Sequence, residues 1–114
     1  MIEDIIDQSK QELKRGLTVL SVLGALREAE YGYSLSQKLA LMGLPIETNT
    51  LYPLLRRLEK QDLLKSFWDT DTSKPRKYYQ VTENGILVFN RLSESWKAYN
   101  AVIKEINKGG LAHE

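Results

Sequence analysis

No cysteine occurs in this 114-residue chain, and its single histidine, His113, stands one residue from the end. Without cysteine there are no disulfides and no thiolate metal sites, which fits a reducing, cytoplasmic setting. With the one histidine placed in the tail, the sequence offers little from which to build a nucleophile–histidine dyad or a metal cluster. No catalytic residue, metal or cofactor is therefore expected. Long hydrophobic runs are missing too. The longest, Leu17 to Leu26, contains Thr18 and Ser21 and is too short to cross a bilayer. The opening Met-Ile-Glu-Asp has the wrong charge for a signal peptide. No glycine-rich phosphate loop is present, and only residues 44–47 separate Gly43 from Thr48. A strong net charge is also lacking: the balance is +1, with a pI near 7.9. Length and composition leave one globular domain with a modest core.

What the chain does have is concentrated between Thr48 and Lys77. Leu51, Leu54, Leu55 and Leu58 recur at helical spacing and share one face. At ~100° per residue, Asn49, Pro53, Arg56 and Lys60 fall on the opposite side, with Tyr52 and Arg57 on the flanks. Pro53 lacks an N–H, so the regular helix is expected to begin near Thr50, placing the proline in the first turn. Two strand-like runs follow, Leu63 to Trp68 and Lys77 to Thr82. Between them the polar Asp-Thr-Asp-Thr-Ser-Lys-Pro-Arg reads as a hairpin tip. In the second strand Tyr79 should alternate inward with Val81, and Trp68 should pack at the base of the hairpin. From Leu54 to Lys77 there are seven Lys or Arg residues against Glu59, Asp62, Asp69 and Asp71, a local excess of +3 on a near-neutral protein. A helix followed by a hairpin with a basic tip has the layout of a winged helix.

The flanking segments read as further helices. The first carries Ile2, Ile5, Ile6 and Leu13 and becomes apolar nearly all round from Leu17 to Leu26, so that part should be buried on most sides. Close helix contacts are the expected compensation for Gly16 and Gly24, each costing up to ~1 kcal/mol in a helix interior. Glu30-Tyr31-Gly32-Tyr33 breaks this helix. Ser34-x-x-Gln37 resembles a capping box opening a second one, with Leu35, Leu39 and Met42 inward and Gly43 as its stop. Thr82 is expected to cap a last helix from about Glu83 to Asn107. Its apolar positions Phe89, Leu92, Trp96, Tyr99, Ile103 and Ile106 alternate spacings of three and four, a heptad seam. Such a seam needs a partner helix. A two-fold homodimer is the simplest solution; the alternative is a last helix folded back on its own first helix.

These residues carry a resemblance. Tyr31-Gly32-Tyr33, Thr50-Leu51-Tyr52-Pro53-Leu54-Leu55, Arg57-Leu58-Glu59, Trp68, and Arg76-Lys77-Tyr78-Tyr79 through Thr82 and Gly85 resemble the signature of the PadR family of transcriptional regulators. The likeness runs from about Leu13 to the last helix. Asp62 stands where the family usually has the glycine that ends the recognition helix, and Pro75 where the wing tip often has Gly or Arg. The fold expected is mainly α: a winged helix-turn-helix with a two-stranded β wing over residues 1–82, a long C-terminal dimerisation helix over 83–108, and a flexible tail over 109–114.

The expected partner is double-stranded operator DNA with palindromic half-sites, bound by a homodimer. Recognition-helix contacts fall to Asn49, Thr50, Tyr52, Arg56 and Arg57, because Asn and Arg can bond base edges while Arg, Lys and Tyr hold phosphates. Tyr33, Ser34 and Lys38 of the second helix and Lys74, Arg76 and Lys77 of the wing would hold the backbone. For Trp96 two readings stand side by side. It is core of the dimer seam, or, facing its own copy, it forms a slot for a planar aromatic effector. Glu94-Ser95-Trp96 is similar to multidrug-binding members of the family, in which paired tryptophans sandwich planar drugs. That likeness places Leu13, Leu17, Leu92 and Asn100 in the pocket wall, and Ser93 where an aromatic residue would stand. The reading from another class is a winged-helix protein-interaction module that binds neither DNA nor effector.

Overall fold

The computed structural model, which describes residues 1–71 and 73–109, has four helices and a small sheet. The order is α1 (Ile2–Ala25), β1 (Glu30–Tyr31), α2 (Gly32–Leu41), α3 (Thr48–Lys60), β2 (Leu64–Asp69), β3 (Arg76–Val81) and α4 (Glu83–Gly109). β2 and β3 form the antiparallel wing, with Leu64 opposite Val81 and Asp69 opposite Arg76. A third strand joins them. β1 pairs with the other edge of β3, Tyr31 opposite Tyr78, giving the order β1-β3-β2. The sequence marks Glu30-Tyr31 only as a helix break, because two residues are too few to show an alternating pattern.

The core is a leucine cluster where α1, α2, α3 and the sheet meet: Leu23, Leu26, Leu35, Leu51, Leu55, Leu58 and Leu64 are almost wholly buried. Each such side chain contributes roughly 1.5–3 kcal/mol. Tyr79 and Val81 close the cluster from β3, in the inward alternation expected of them. In α1 burial is confined to the last turns, at Val22, Leu23 and Ala25, while Leu17 and Leu20 are half-buried. The carbonyls at the end of α1 and just beyond it find donors in other elements. Lys38 Nζ donates to Ala25 O (3.0 Å), Val81 N–H to Leu26 O (2.9 Å) and Gln80 Nε2 to Arg27 O (3.0 Å). These bonds satisfy groups that a helix end leaves orphaned and fix the first helix to the wing.

Several local expectations are corrected. α3 begins at Thr48, not near Thr50, so Pro53 lies inside it. Thr50 and Leu51 both donate to Glu47 O (3.0 and 2.9 Å), closing the first turn ahead of the proline. The donor that Pro53 lacks would have served the carbonyl of Asn49, an exposed residue, where solvent compensates. Ser34 does not cap α2 from outside. It is the third helical residue, and its Oγ accepts the Tyr31 N–H at 3.1 Å. Met42 follows α2 and is exposed rather than inward. Gly43 ends that helix as expected, at φ +100. Trp68 is exposed and does not pack at the base of the wing.

The other junctions follow the sequence. Asp62, in the place of the usual glycine, takes the left-handed conformation itself (φ 62). Around it Leu63 N–H reaches Leu58 O at 2.9 Å and Asp62 N–H reaches Glu59 O at 3.0 Å, the bond pattern of a Schellman-type stop. Asn84 Nδ2 donates to Asp62 Oδ2 (3.0 Å), and Thr82 Oγ1 donates to Asp62 O (2.6 Å). Thr82 Oγ1 also accepts the Gly85 N–H at 3.0 Å, the N-cap expected for α4. α4 runs to Gly109, so the expected tail loses its first residue to the helix; the rest of it, 110–114 with His113, lies outside the described residues.

α4 packs on α1 within the chain through its first turns. A Cβ on Gly24 would stand 2.5 Å from Cε1 of Phe89, so the missing side chain is what admits the ring. The Arg27 guanidinium lies over the same ring, 5.3 Å from its centroid. Phe89, expected in the intersubunit seam, is half-buried against Gly24 and Arg27 of its own subunit. Gly16 has no neighbour within 4 Å, and the close contact expected there is not made within the chain.

Candidate nucleic-acid interface

The hydrophobic stripe of α3 decides what the helix shows to solvent. With Leu51, Leu55 and Leu58 buried and Leu54 packed against the core, Asn49, Thr50, Tyr52, Arg56, Arg57 and Lys60 are left outside. They occupy three directions. Asn49, Arg56 and Lys60 point outward. Tyr52 and Glu59 turn towards the start of α2 and the wing, and Thr50 and Arg57 turn towards α1. Among the described residues the ion pairs are Lys77 with Glu59 and the N-terminal amine with Asp4. Arg56, Arg57 and Lys60 therefore carry uncompensated charge on one helix.

Tyr52 combines two roles. Its ring and hydroxyl lie directly on Gly32, where any Cβ would collide with them, yet more than a third of the residue stays exposed. The Tyr31-Gly32-Tyr33 motif is thus explained by packing: the glycine lets α3 approach the first turn of α2. Tyr33 is exposed beside it and its hydroxyl accepts from Gln37 Nε2 at 2.8 Å.

Several side chains of the expected set also make contacts within the chain. Lys38 Nζ is bound to the end of α1. Ser34 Oγ is held by the Tyr31 backbone and by Glu30 Oε2 at 3.0 Å. Lys77 Nζ reaches back to Glu59 Oε1 at 3.5 Å and lies 5.3 Å from the Tyr79 ring centroid. The same Glu59 carboxylate accepts from Ser66 Oγ in β2. Glu59, absent from the expected site, is therefore the joint between recognition helix and wing. Its signal lies in the pattern: it sits on the α3 flank beside Tyr52, and Ser66 and Lys77 share the inward face of the paired strands.

Arg76 keeps its position at the wing tip and is exposed. Its guanidinium stands 4.6 Å from the Tyr31 ring centroid, a stacking that orients the fork without neutralising it. Tyr31 in turn meets Tyr78 edge-on at 5.5 Å, and Tyr78 stacks on Phe67 at 5.8 Å, so the outer face of the sheet is an aromatic layer supporting Arg76. Lys74 is exposed in the tip.

The C-terminal candidates are placed differently. On α4, Leu92, Trp96, Tyr99, Ile103 and Ile106 are exposed, as are Ile2, Ile5 and Leu13 on the first half of α1. Leu17 and Asn100 are half-buried, and Ser93 lines a groove with Leu20, Gly24 and Phe89. No helix among the described residues is long and apolar enough to cross a membrane, and no group of them could hold a metal ion.

This geometry has known counterparts. Residues 19–91 match the family model for the PadR-like family of transcriptional regulators. A PadR family transcriptional regulator from Eggerthella lenta superposes with a TM-score of 0.90 at 45% sequence identity, covering 96% of this chain and 97% of that one. A PadR-like transcriptional regulator from Bacillus cereus superposes with a TM-score of 0.79 at 26% identity, covering 87% of this chain and 99% of that one. The transcriptional regulator Rv3488 of Mycobacterium tuberculosis is 31% identical over 104 residues, which is 90% of this chain and 94% of its own length.

Proposed function

Because the chain belongs to the PadR-like family of transcriptional regulators, and so binds DNA and is no enzyme, we propose that it is a cytoplasmic homodimeric repressor of a palindromic operator. Residues 1–82 form the reading unit and 83–108 the dimerisation helix. The observation that carries this reading is the uncompensated α3 face, with Arg56, Arg57 and Lys60 beside Asn49 and Thr50. Asn49 and Arg56 point where base edges of a major groove would lie. Arg57, Lys74 and Arg76 hold phosphates, and Tyr33 and Tyr52 add hydroxyls to the same edge. Lys38, Ser34 and Lys77 act one step back, keeping α1, α2 and the wing in place. In the dimer two α3 helices would meet half-sites about 34 Å apart, one helical turn.

Dimerisation is supported by the exposed seam on α4, since Leu92, Trp96, Ile103 and Ile106 form a stripe too large to leave in water. Relief of repression is assigned to a planar aromatic effector between the paired Trp96 side chains, walled by Leu13, Leu17, Leu92 and Asn100. An effector acts only through a difference in affinity between two arrangements of the dimer. Here the arrangements differ in the separation of the α3 helices. In a Trp68→Phe background, titration with planar aromatic cations should quench Trp96 fluorescence saturably and lower operator affinity. A folded, duplex-binding dimer with no quenching would make Trp96 plain seam core. Arg56→Ala should weaken operator binding about 10-fold or more; unchanged affinity would remove α3 from the interface.

A further inference from the structure

Where α1 runs past α3 the structure has an open groove of about 1040 Å³. One wall is the polar side of α1, with Lys14 and Arg15; the other is the flank of α3, with Thr50 and Arg57. Ile46 and Leu54 lie between the two walls. Three cations line this groove against one carboxylate, Glu47. Neither Lys14 nor Arg15 has an ion-pair partner among the described residues. The groove side of α1 is turned nearly opposite to the stripe of Ile6, Leu13 and Leu17. A second subunit covering that stripe therefore leaves the groove open.

We propose that this groove carries the sugar–phosphate backbone of the operator past the bases read by α3, with Lys14 and Arg15 as phosphate contacts. The proposal rests on the reading of α3 as the DNA-binding helix, since Thr50 and Arg57 form the opposite wall. A strand held on one side by Arg57 lies between cations on both sides, and the two α1 residues gain the favourable release of counterions. The added contacts are to phosphates, so they carry affinity without sequence preference. In the sequence the first helix reads only as core and pocket wall; its path is what places the two cations beside α3.

The test uses the full chain and measures duplex affinity by fluorescence anisotropy over a range of salt. Lys14→Gln with Arg15→Gln should weaken operator and unrelated duplex by the same factor. The slope of log K against log salt should become shallower by about 0.9 for each phosphate no longer neutralised, up to about 3.6 for two residues in each of two subunits. Lys14→Arg with Arg15→Lys should restore the wild-type slope, which separates an effect of charge from an effect on folding. Lys108→Gln, at the far end of α4, should leave the slope unaltered. An unchanged slope in the glutamine variant, while Arg56→Ala still weakens binding, overturns the proposal. An equal weakening with Lys108→Gln overturns it as well, because net charge would then explain both. If the wild-type protein binds no duplex at all, the reading of α3 fails and the groove proposal falls with it.

Discussion

Helices α3 and α4 each leave a whole side uncovered in the single chain, and what they uncover differs. On α3 the leucines are buried and the open side is Asn49, Arg56, Arg57 and Lys60. On α4 little is buried beyond the first turns, and the open side is Leu92, Trp96, Ile103 and Ile106. The surroundings differ in the same sense. Around α3, Glu59 holds Lys77 and Ser66, Gly32 receives Tyr52, and Tyr31 supports Arg76, so the exposed charges stand on a braced surface. The second half of α4 is largely exposed. A charged rigid face suits a polyanion, whereas an apolar stripe suits a second apolar helix. Salt separates these two kinds of association: it weakens the first steeply and hardly affects the second.

The comparison can be broken most forcefully at the seam. Ile103→Glu should place a charge in each copy of the α4 stripe. An unpaired buried charge costs several kcal/mol, so dimer affinity should fall at least ~100-fold. Sedimentation would show a monomer with native helix content. A variant that remains a tight dimer would mean that this stripe is not the subunit contact. A smaller effect is expected where the reading unit is braced. Gly32→Ala should push the Tyr52 ring away and cost about 1–3 kcal/mol, as overpacking does. Denaturant melting would report that destabilisation, with the dimer contact unaffected. Smallest of all is Asp62→Gly. Removing a side chain from the left-handed position relieves strain of roughly 1–2 kcal/mol, offset by the missing bond to Asn84 and by the freer unfolded chain. A net gain below about 1 kcal/mol should appear in the same melting experiment, with no change in duplex affinity.

The parts legible in the sequence are those set by local period and capping. The α3 leucine face, the wing with Tyr79 and Val81 inward, the stop at Gly43 and the Thr82 cap all follow from neighbours a few residues apart. The parts the sequence does not show depend on contacts between distant segments. Lys38 reads as a solvent-facing helix cation until the end of α1 lies beside it, and Lys77 as a wing-tip cation until Glu59 is seen across the strands. Phe89 fits a heptad seam by spacing, and only the structure shows that Gly24 on α1 also opens a place for its ring inside the subunit. The start of α3 lies earlier than Pro53 suggests; the carbonyl that loses its helical donor belongs to Asn49, an exposed residue.

The most direct measurement follows both associations in parallel as salt is raised, the dimer by sedimentation equilibrium and the operator complex by anisotropy. Duplex affinity should fall steeply and linearly on logarithmic axes while the dimer constant stays level or tightens. If the dimer dissociates with salt as steeply as the DNA complex, the subunits are held by charge, and the division of labour between α3 and α4 is wrong.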